Sequence, residues 1–444
     1  MTVSKKNKKK INLKVDVHHL ARVEGHGNIK VRVTNGKLTE AHWDIVETPR
    51  FFEVMLKGKH YTTAGILTAR ICGICSIGHC LASVRATENA FGITIPESAA
   101  KLRLLAKHGE TLQSHLLHLF FLAAPDFLGL PDAFPLQRLK PEVFALAARL
   151  KGLANRICDV VAGRTTHPVS IQVGGMARMP EKHLLLELKS QLERAIDDLD
   201  ATVELFGTFE IPDFVRETEF VSLKGERDYP FIGGRLLSSD GAERPECEYR
   251  EMTNEYVTEN NTSKWCKLSR ESFAVGALAR LNNNYHRLHP KARVAAVQFD
   301  LAPLCHNPLM NNVAQLIECI HVVYDSIRII DELVDAVPSA GRVPRSTAWA
   351  TETMAEVKPR AGQGVGAVEV PRGILYHDYE YDDRGRIVRA NCVIPTTQNN
   401  ANINFDLKAM VAQFAVAGMT DERLELLCSM LVRSYDPCIS CSVH

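Results

Sequence analysis

The sequence predicts a mainly α protein: a bundle of long helices with small antiparallel β pieces at the N-terminus and near residues 365–395. Three observations predict it. Apolar residues recur with helical period over several stretches of twenty or more positions. They alternate with polar ones in only a few short segments. Pro stands near the start of several helical stretches and Gly past the end of others.

In chain order, residues 1–10, MTVSKKNKKK, form a disordered basic tail. Residues 11–444 form a single domain, and 11–60 are its β-rich part. LKVDV and IKVRV alternate, and Asn35-Gly36 between IKVRVT and KLTEAHWDIV marks a hairpin turn. The helical bundle covers 97–340. Its first helix opens at Pro96-Glu97-Ser98 and stops before Pro125. A second runs from Pro141 to Val161 and ends at Gly163, and a third from Pro180 to Gly207. A fourth opens at Asn307-Pro308 and ends before Pro338. Residues 208–265 are mixed, with short strands and turns. Alternation returns over 365–395 as a small sheet: VGAVEV, GILYHDYEY, the turn DDRGR, then IVRANCVI. One last helix covers about Leu407 to Ser434, and the segment to residue 444 forms a metal-binding tail.

Composition sets bounds on function. Of 444 residues, 45% are apolar and 24% charged, the mix of a globular protein with a sizeable core. A net charge of +1 gives no reason to expect nucleic acid. No apolar run is long enough for a membrane span, and no signal-peptide core follows the lysines. Twelve cysteines are too sparse for a disulfide scaffold in so long a chain; metal-binding thiols in a reduced, cytoplasmic setting fit better.

Two CxxC pairs stand out, Cys72/Cys75 in RICGICSIGHC and Cys438/Cys441 in DPCISCSVH. Together they offer four thiolates to one site that would staple the tail onto the first third of the chain. A structural zinc site is one reading. Against it, zinc knuckles draw ligands from nearby sequence, whereas these pairs lie at opposite ends. Both are set in apolar segments, and both carry groups a closed site does not need: Arg70, His79, Asp436 and His444.

These two motifs resemble the signatures of nickel–iron hydrogenase large subunits. RVEGHGNIKV (22–31), RFFEVMLKGK (50–59), VGALARLN (275–282), GVGAVEVPRGILYH (364–377) and CVIPTTQN (392–399) agree as well, so the likeness runs from residue 22 to 444. It implies heterolytic cleavage of dihydrogen. That substrate is apolar and a very weak acid, so a soft, electron-rich metal is needed beside a base. The resemblance makes Cys72 and Cys438 terminal nickel ligands, and Cys75 and Cys441 bridges to iron. It also puts carbonyl and cyanide on the iron. Arg372 would lie over the open face of the centre, and Glu24 would relay protons from a terminal cysteine. Thr396 would donate to the diatomic ligands, His79 would tune a bridging sulfur, and Asp436 would orient Arg372 or the metal loop. Glu53, the Cys392 carbonyl and His444 would hold magnesium, with water completing the shell. Read alone, most of these residues are ordinary strand-edge, turn or surface groups.

The resemblance implies partners too: a small subunit with iron–sulfur clusters, diaphorase-type or disulfide-reductase-type subunits, and a maturation endopeptidase that trims the precursor after the final histidine. Ser114 stands where membrane-associated, periplasmic relatives carry aspartate, which points to the cytosolic, multi-subunit branch. A zinc-stapled scaffold and a subunit like the quinone-site subunit of respiratory complex I stay open. The second lacks these four cysteines.

Overall fold

The structure is a computed structural model and describes residues 11–259, 261–335 and 352–444. The lysine-rich segment 1–10 and the approach to Pro338 lie outside the described residues.

The chain opens with an antiparallel meander of Leu13–Val17, Gly27–Thr34 and Lys37–Ile45. Its hairpin turns at Asn35 and Gly36, both at positive φ as a tight two-residue turn requires. Alternation buries Ile29, Val31, Trp43 and Ile45 on one face. The β-rich part is shorter than the expected 11–60, because the helices Phe52–Leu56 and Tyr61–Thr68 follow directly.

Four long helices make the bundle: Glu97–Leu117, Pro141–Ala162, Lys182–Phe206 and Asn311–Asp335. The first packs on the second and fourth, and the third packs on the second and fourth as well. Pro125 does not stop the first helix. A π-helical turn at His118–Ala123 carries it into Ala124–Phe127, where the proline falls among the first positions of the new segment, which need no N–H. The expected last helix is two, Pro395–Phe414 and Asp421–Ser434. The chain turns at Gly418, and the Thr420 hydroxyl caps the second helix by accepting from the Arg423 N–H.

Residues 208–265 contribute to a four-stranded sheet, in which Glu219–Lys224 lies between Phe273–Ala274 and Arg235–Ser238. A second antiparallel meander joins Gly362–Val370, Gly373–Tyr381 and Ile387–Val393, as the alternation predicts.

A helix that periodicity does not announce lies at the centre. Ser76–Phe91 is buried on almost every side, so it shows no polar stripe. It packs on Gly362–Val370, where Gly362, Gly364 and Gly366 present one bare face to its backbone. A Cβ on Gly364 would lie 2.2 Å from the Ala86 carbonyl oxygen and 2.3 Å from the Ala90 nitrogen. Gly364→Ala is therefore expected to cost about 2–3 kcal/mol through overpacking against a backbone that cannot give way. Denaturant unfolding checks this, and an unchanged midpoint would contradict the close approach.

Candidate metal centre

Residues 72–75 and 438–441 meet beside Glu24 and the start of the Ser76–Phe91 helix. Cys72 follows the 3-10 turn Ala69–Ile71, and Cys75 immediately precedes the helix Ser76–Phe91. Cys438 stands just before the short helix Ile439–Ser442, which carries Cys441. Asp436, at φ 49, bends the chain out of Asp421–Ser434 toward the cysteines.

All four sulfurs lie within 4.8 Å of one another and all four residues are buried. Cys72 Sγ is 3.6 Å from Cys438 Sγ, and Cys75 Sγ is 3.9 Å from Cys441 Sγ. Both spacings exceed a disulfide bond, about 2.05 Å. A tetrahedron of thiolates about 2.3 Å from one ion has sulfurs about 3.8 Å apart, so the cage suits a metal. Cys72 Sγ also accepts from the N–H groups of Ile74 and Cys75, at 3.2 and 3.3 Å. The thiols share charge unequally. The neighbouring Cys438 thiol hydrogen-bonds the Cys72 sulfur and holds it well below the ordinary thiol range. Burial pushes Cys438 and Cys441 well above that range.

The tail is tied down at several points. The Ile439 N–H donates to the Glu24 carbonyl at 2.9 Å, and the Arg50 N–H to the Val443 carbonyl at 2.8 Å. Arg50 also clamps both cysteine loops, with Nη2 donating to the Ile71 carbonyl at 2.7 Å and to that of Ser440. Sequence reasoning gave Arg50 no role, although it opens one of the matching segments.

Glu24 lies against the cage. Its Oε2 is 3.2 Å from Cys438 Sγ and accepts from the Ser440 N–H at 3.0 Å, while Oε1 accepts from the Ser440 hydroxyl. Arg372 is buried; its Nε donates to the Asp436 carbonyl at 2.6 Å and its Nη2 to Asp436 Oδ1 at 2.8 Å. Its Nη1 is 3.4 Å from the Ser114 hydroxyl. Burial works against the Arg372 charge, but Asp436 and the cysteine sulfurs outweigh it and raise its pKa well above the usual value. The Thr396 hydroxyl accepts from the Cys438 N–H at 2.9 Å, which leaves its own hydrogen free to donate.

His79 is buried, and burial pushes its imidazole down to about 4. Its Nδ1 pairs with His377 Nε2 at 3.3 Å rather than with a cysteine sulfur. On the other side of the tail, Glu53 Oε1 accepts from the Cys392 N–H at 2.7 Å and lies 3.6 Å from His444 Nε2. Burial tends to raise the Glu53 pKa, but His444 and the Cys392 N–H prevail and lower it. At Cys392 the contact seen is through the N–H, whereas the expected ligand is the carbonyl.

A fold that gathers four soft donors from residues 72–75 and 438–441 offers a thiolate cage that could hold a metal, with a carboxylate beside it. The particular family follows from comparison: the sequence profile of the nickel-dependent hydrogenases matches residues 50–140 and 235–444, and the chain belongs to that family. It is 32% identical over 439 residues to sulfhydrogenase 1 subunit alpha of Pyrococcus furiosus, covering 98% of this chain and 99% of that protein. It is 28% identical to the NAD-reducing hydrogenase HoxS subunit beta of Cupriavidus necator, covering 97% of this chain and 94% of that one. Among solved structures, an NAD+-reducing NiFe-hydrogenase in its H2-reduced state superposes with a TM-score of 0.86 at 28% identity, over 98% of this chain and 100% of that one. The Ni-Fe-Se hydrogenase from D. vulgaris Hildenborough shares the fold, with a TM-score of 0.77 at 22% identity over 98% of this chain and 100% of that one. The chain is thus an oxidoreductase acting on dihydrogen, which displaces the zinc-scaffold and complex I readings. No helix among the described residues is long and apolar enough to cross a membrane.

Proposed function

We propose that Cys72, Cys75, Cys438 and Cys441 hold the nickel–iron centre of a hydrogenase catalytic subunit. Cys72 and Cys438 would be terminal on nickel, and Cys75 and Cys441 would bridge to an iron carrying carbonyl and cyanide. The observation that carries this reading is the convergence of the four buried sulfurs, paired one from each end of the chain at 3.6 and 3.9 Å. When bound, the centre supplies the soft, electron-rich metal that lets dihydrogen split heterolytically.

The chain's own groups would manage the proton and the charge. Glu24, held by the Ser440 N–H and hydroxyl, is placed to take a proton from the Cys438 sulfur. Arg372 is fixed by Asp436 as a permanent positive charge. Thr396, already accepting from the Cys438 N–H, can donate toward a diatomic ligand. His79 stays neutral at pH 7 and would tune the Cys75 side of the cage. Glu53, His444 and the Cys392 carbonyl would hold magnesium. We take residues 11–444 as one domain, which agrees with the shared core that both ends of the chain enter.

Electrons must leave the chain, because all four clustered cysteines serve one site and the family's relays sit in a small subunit with iron–sulfur clusters. Exposed Phe51, Val54, Met55 and Ile66 support a docking face for it. Ile66 lines a cleft of about 440 Å³ together with Arg70, His167 and Val169. From there, diaphorase-type or disulfide-reductase-type subunits would pass electrons to NAD(P), ferredoxin or a similar soluble carrier. Ser114 and the twelve free cysteines favour a cytoplasmic setting. The resemblance adds a maturation endopeptidase to the partners.

Hydrogen uptake by the assembled complex, measured for the parent and for Glu24→Gln, tests this reading. Glu24→Gln is expected to slow turnover by about a hundredfold or more, the range for loss of a placed acid–base group, with nickel content unchanged. Parent-like turnover in Glu24→Gln would remove Glu24 from the proton path, and no uptake by the parent complex would overturn the assignment.

A further inference from the structure

The Asn311–Asp335 helix belongs to the bundle, yet three polar side chains on one of its faces reach the metal end of the molecule. Asn311, Gln315 and Glu318 fall at i, i+4 and i+7. Asn311 Nδ2 donates to the Ser434 carbonyl at 2.7 Å, and Gln315 Nε2 to Asp436 Oδ2 at 3.2 Å. Glu318 is fully enclosed. It accepts from Arg280 Nε and Nη2 at 2.6 and 2.7 Å, from the Tyr229 hydroxyl at 2.7 Å, and pairs with His115 Nε2 at 2.7 Å.

Arg280 is equally enclosed and spends every N–H it has. Besides Glu318, its Nη1 donates to Glu369 Oε2 and to the Val370 carbonyl, both at 3.0 Å, and its Nη2 to the Pro371 carbonyl at 3.2 Å. Those two carbonyls directly precede Arg372. Pro371 and Arg372 are the whole turn between Gly362–Val370 and Gly373–Tyr381, since Val370 pairs with Gly373. The Pro371 carbonyl lies in the turn, outside the ladder, and the guanidinium satisfies it while also gripping the Val370 carbonyl where the ladder closes.

We propose that Arg280, held by Glu318, is a positioning residue: it fixes the Pro371–Arg372 turn and so aims the Arg372 guanidinium at the metal centre. This rests on the reading that Arg372 faces that centre. Lysine cannot replace Arg280, because a single ammonium cannot fork across two carboxylates and two carbonyls.

The test compares the parent complex with Arg280→Lys, Glu318→Gln and Arg372→Lys. It reads kcat, KM for dihydrogen, nickel and iron content, and hydrogen–deuterium exchange of the 370–376 backbone. Arg280→Lys is expected to keep its metals and to lose kcat by about tenfold to a hundredfold at unchanged KM, as misaimed catalytic groups do. Exchange should rise locally at 370–376, and Glu318→Gln should show the same pattern more weakly. A kcat within about twofold of the parent, or unchanged exchange at the turn, would overturn the inference. So would loss of nickel in both Arg280→Lys and Glu318→Gln, which would mark a role in folding instead. If Arg372→Lys loses activity while Arg280→Lys does not, only this inference fails. If Arg372→Lys is itself unaffected, the reading beneath it fails.

Discussion

Replacing Cys438 by serine is expected to abolish dihydrogen turnover. Its sulfur sits 3.6 Å from Cys72 Sγ and 3.2 Å from Glu24 Oε2, so one atom belongs both to the metal cage and to the proposed proton path. A serine hydroxyl is a hard, poorly acidic donor, and burial that already pushes the Cys438 thiol well up disfavours an alkoxide still more. The change removes a soft ligand and the group facing Glu24 together. Cys428→Ser provides the comparison. Cys428 is also buried, its thiol pushed up to about 12, but it lies outside the cluster and its replacement should leave turnover largely intact. Measured hydrogen uptake decides: activity retained in Cys438→Ser would remove Cys438 from the ligand set.

Arg372→Lys carries the second largest effect, a fall in kcat of about a hundredfold or more, the loss seen when one preorganised donor is withdrawn from a reacting centre. Charge is conserved in this variant, so the effect isolates geometry. The Arg372 fork meets the Asp436 carbonyl and carboxylate at once, at 2.6 and 2.8 Å, and reaches Ser114 with its remaining nitrogen. Lysine can satisfy one of these and would follow it away from the others. Asp436 would keep its bond from Gln315, so the loop should stay folded and nickel should stay bound. A lysine variant with parent-like kcat would mean that only positive charge matters at this position.

Sequence disclosed the site better than the frame around it. The two CxxC motifs were legible because cysteine spacing in apolar surroundings is rare and chemically specific. Glu24, Arg372, Thr396 and Asp436 carry no such signal, since each passes for a turn or surface residue, and only resemblance singled them out. The structure sets Glu24 and Thr396 against Cys438, and Arg372 against Asp436, two residues before it. The hairpin at Asn35-Gly36 and the meander of 362–393 were legible because turn chemistry and alternation are local. The Ser76–Phe91 helix was not, because a helix buried on nearly every side loses its polar stripe; the alternate glycines of Gly362–Val370 were the available sign that something packs close. The π turn before Pro125 and the break near Gly418 escaped for a related reason. Both leave the apolar period nearly intact while changing the backbone path. Glu318 and Gln315 were hidden most completely, and Arg280 stood inside the matching segment VGALARLN without a sign of its role, because their partners are backbone carbonyls and side chains brought near only by folding.

The central claim is that sulfurs from the two extremities enclose a nickel–iron pair. Elemental analysis of the purified complex, read together with its infrared spectrum, tests this most directly. Nickel equimolar with the chain, iron alongside it, and bands from metal-bound carbonyl and cyanide that vanish in Cys438→Ser are the expected result. Equimolar zinc, no nickel and a spectrum empty of those bands would contradict it.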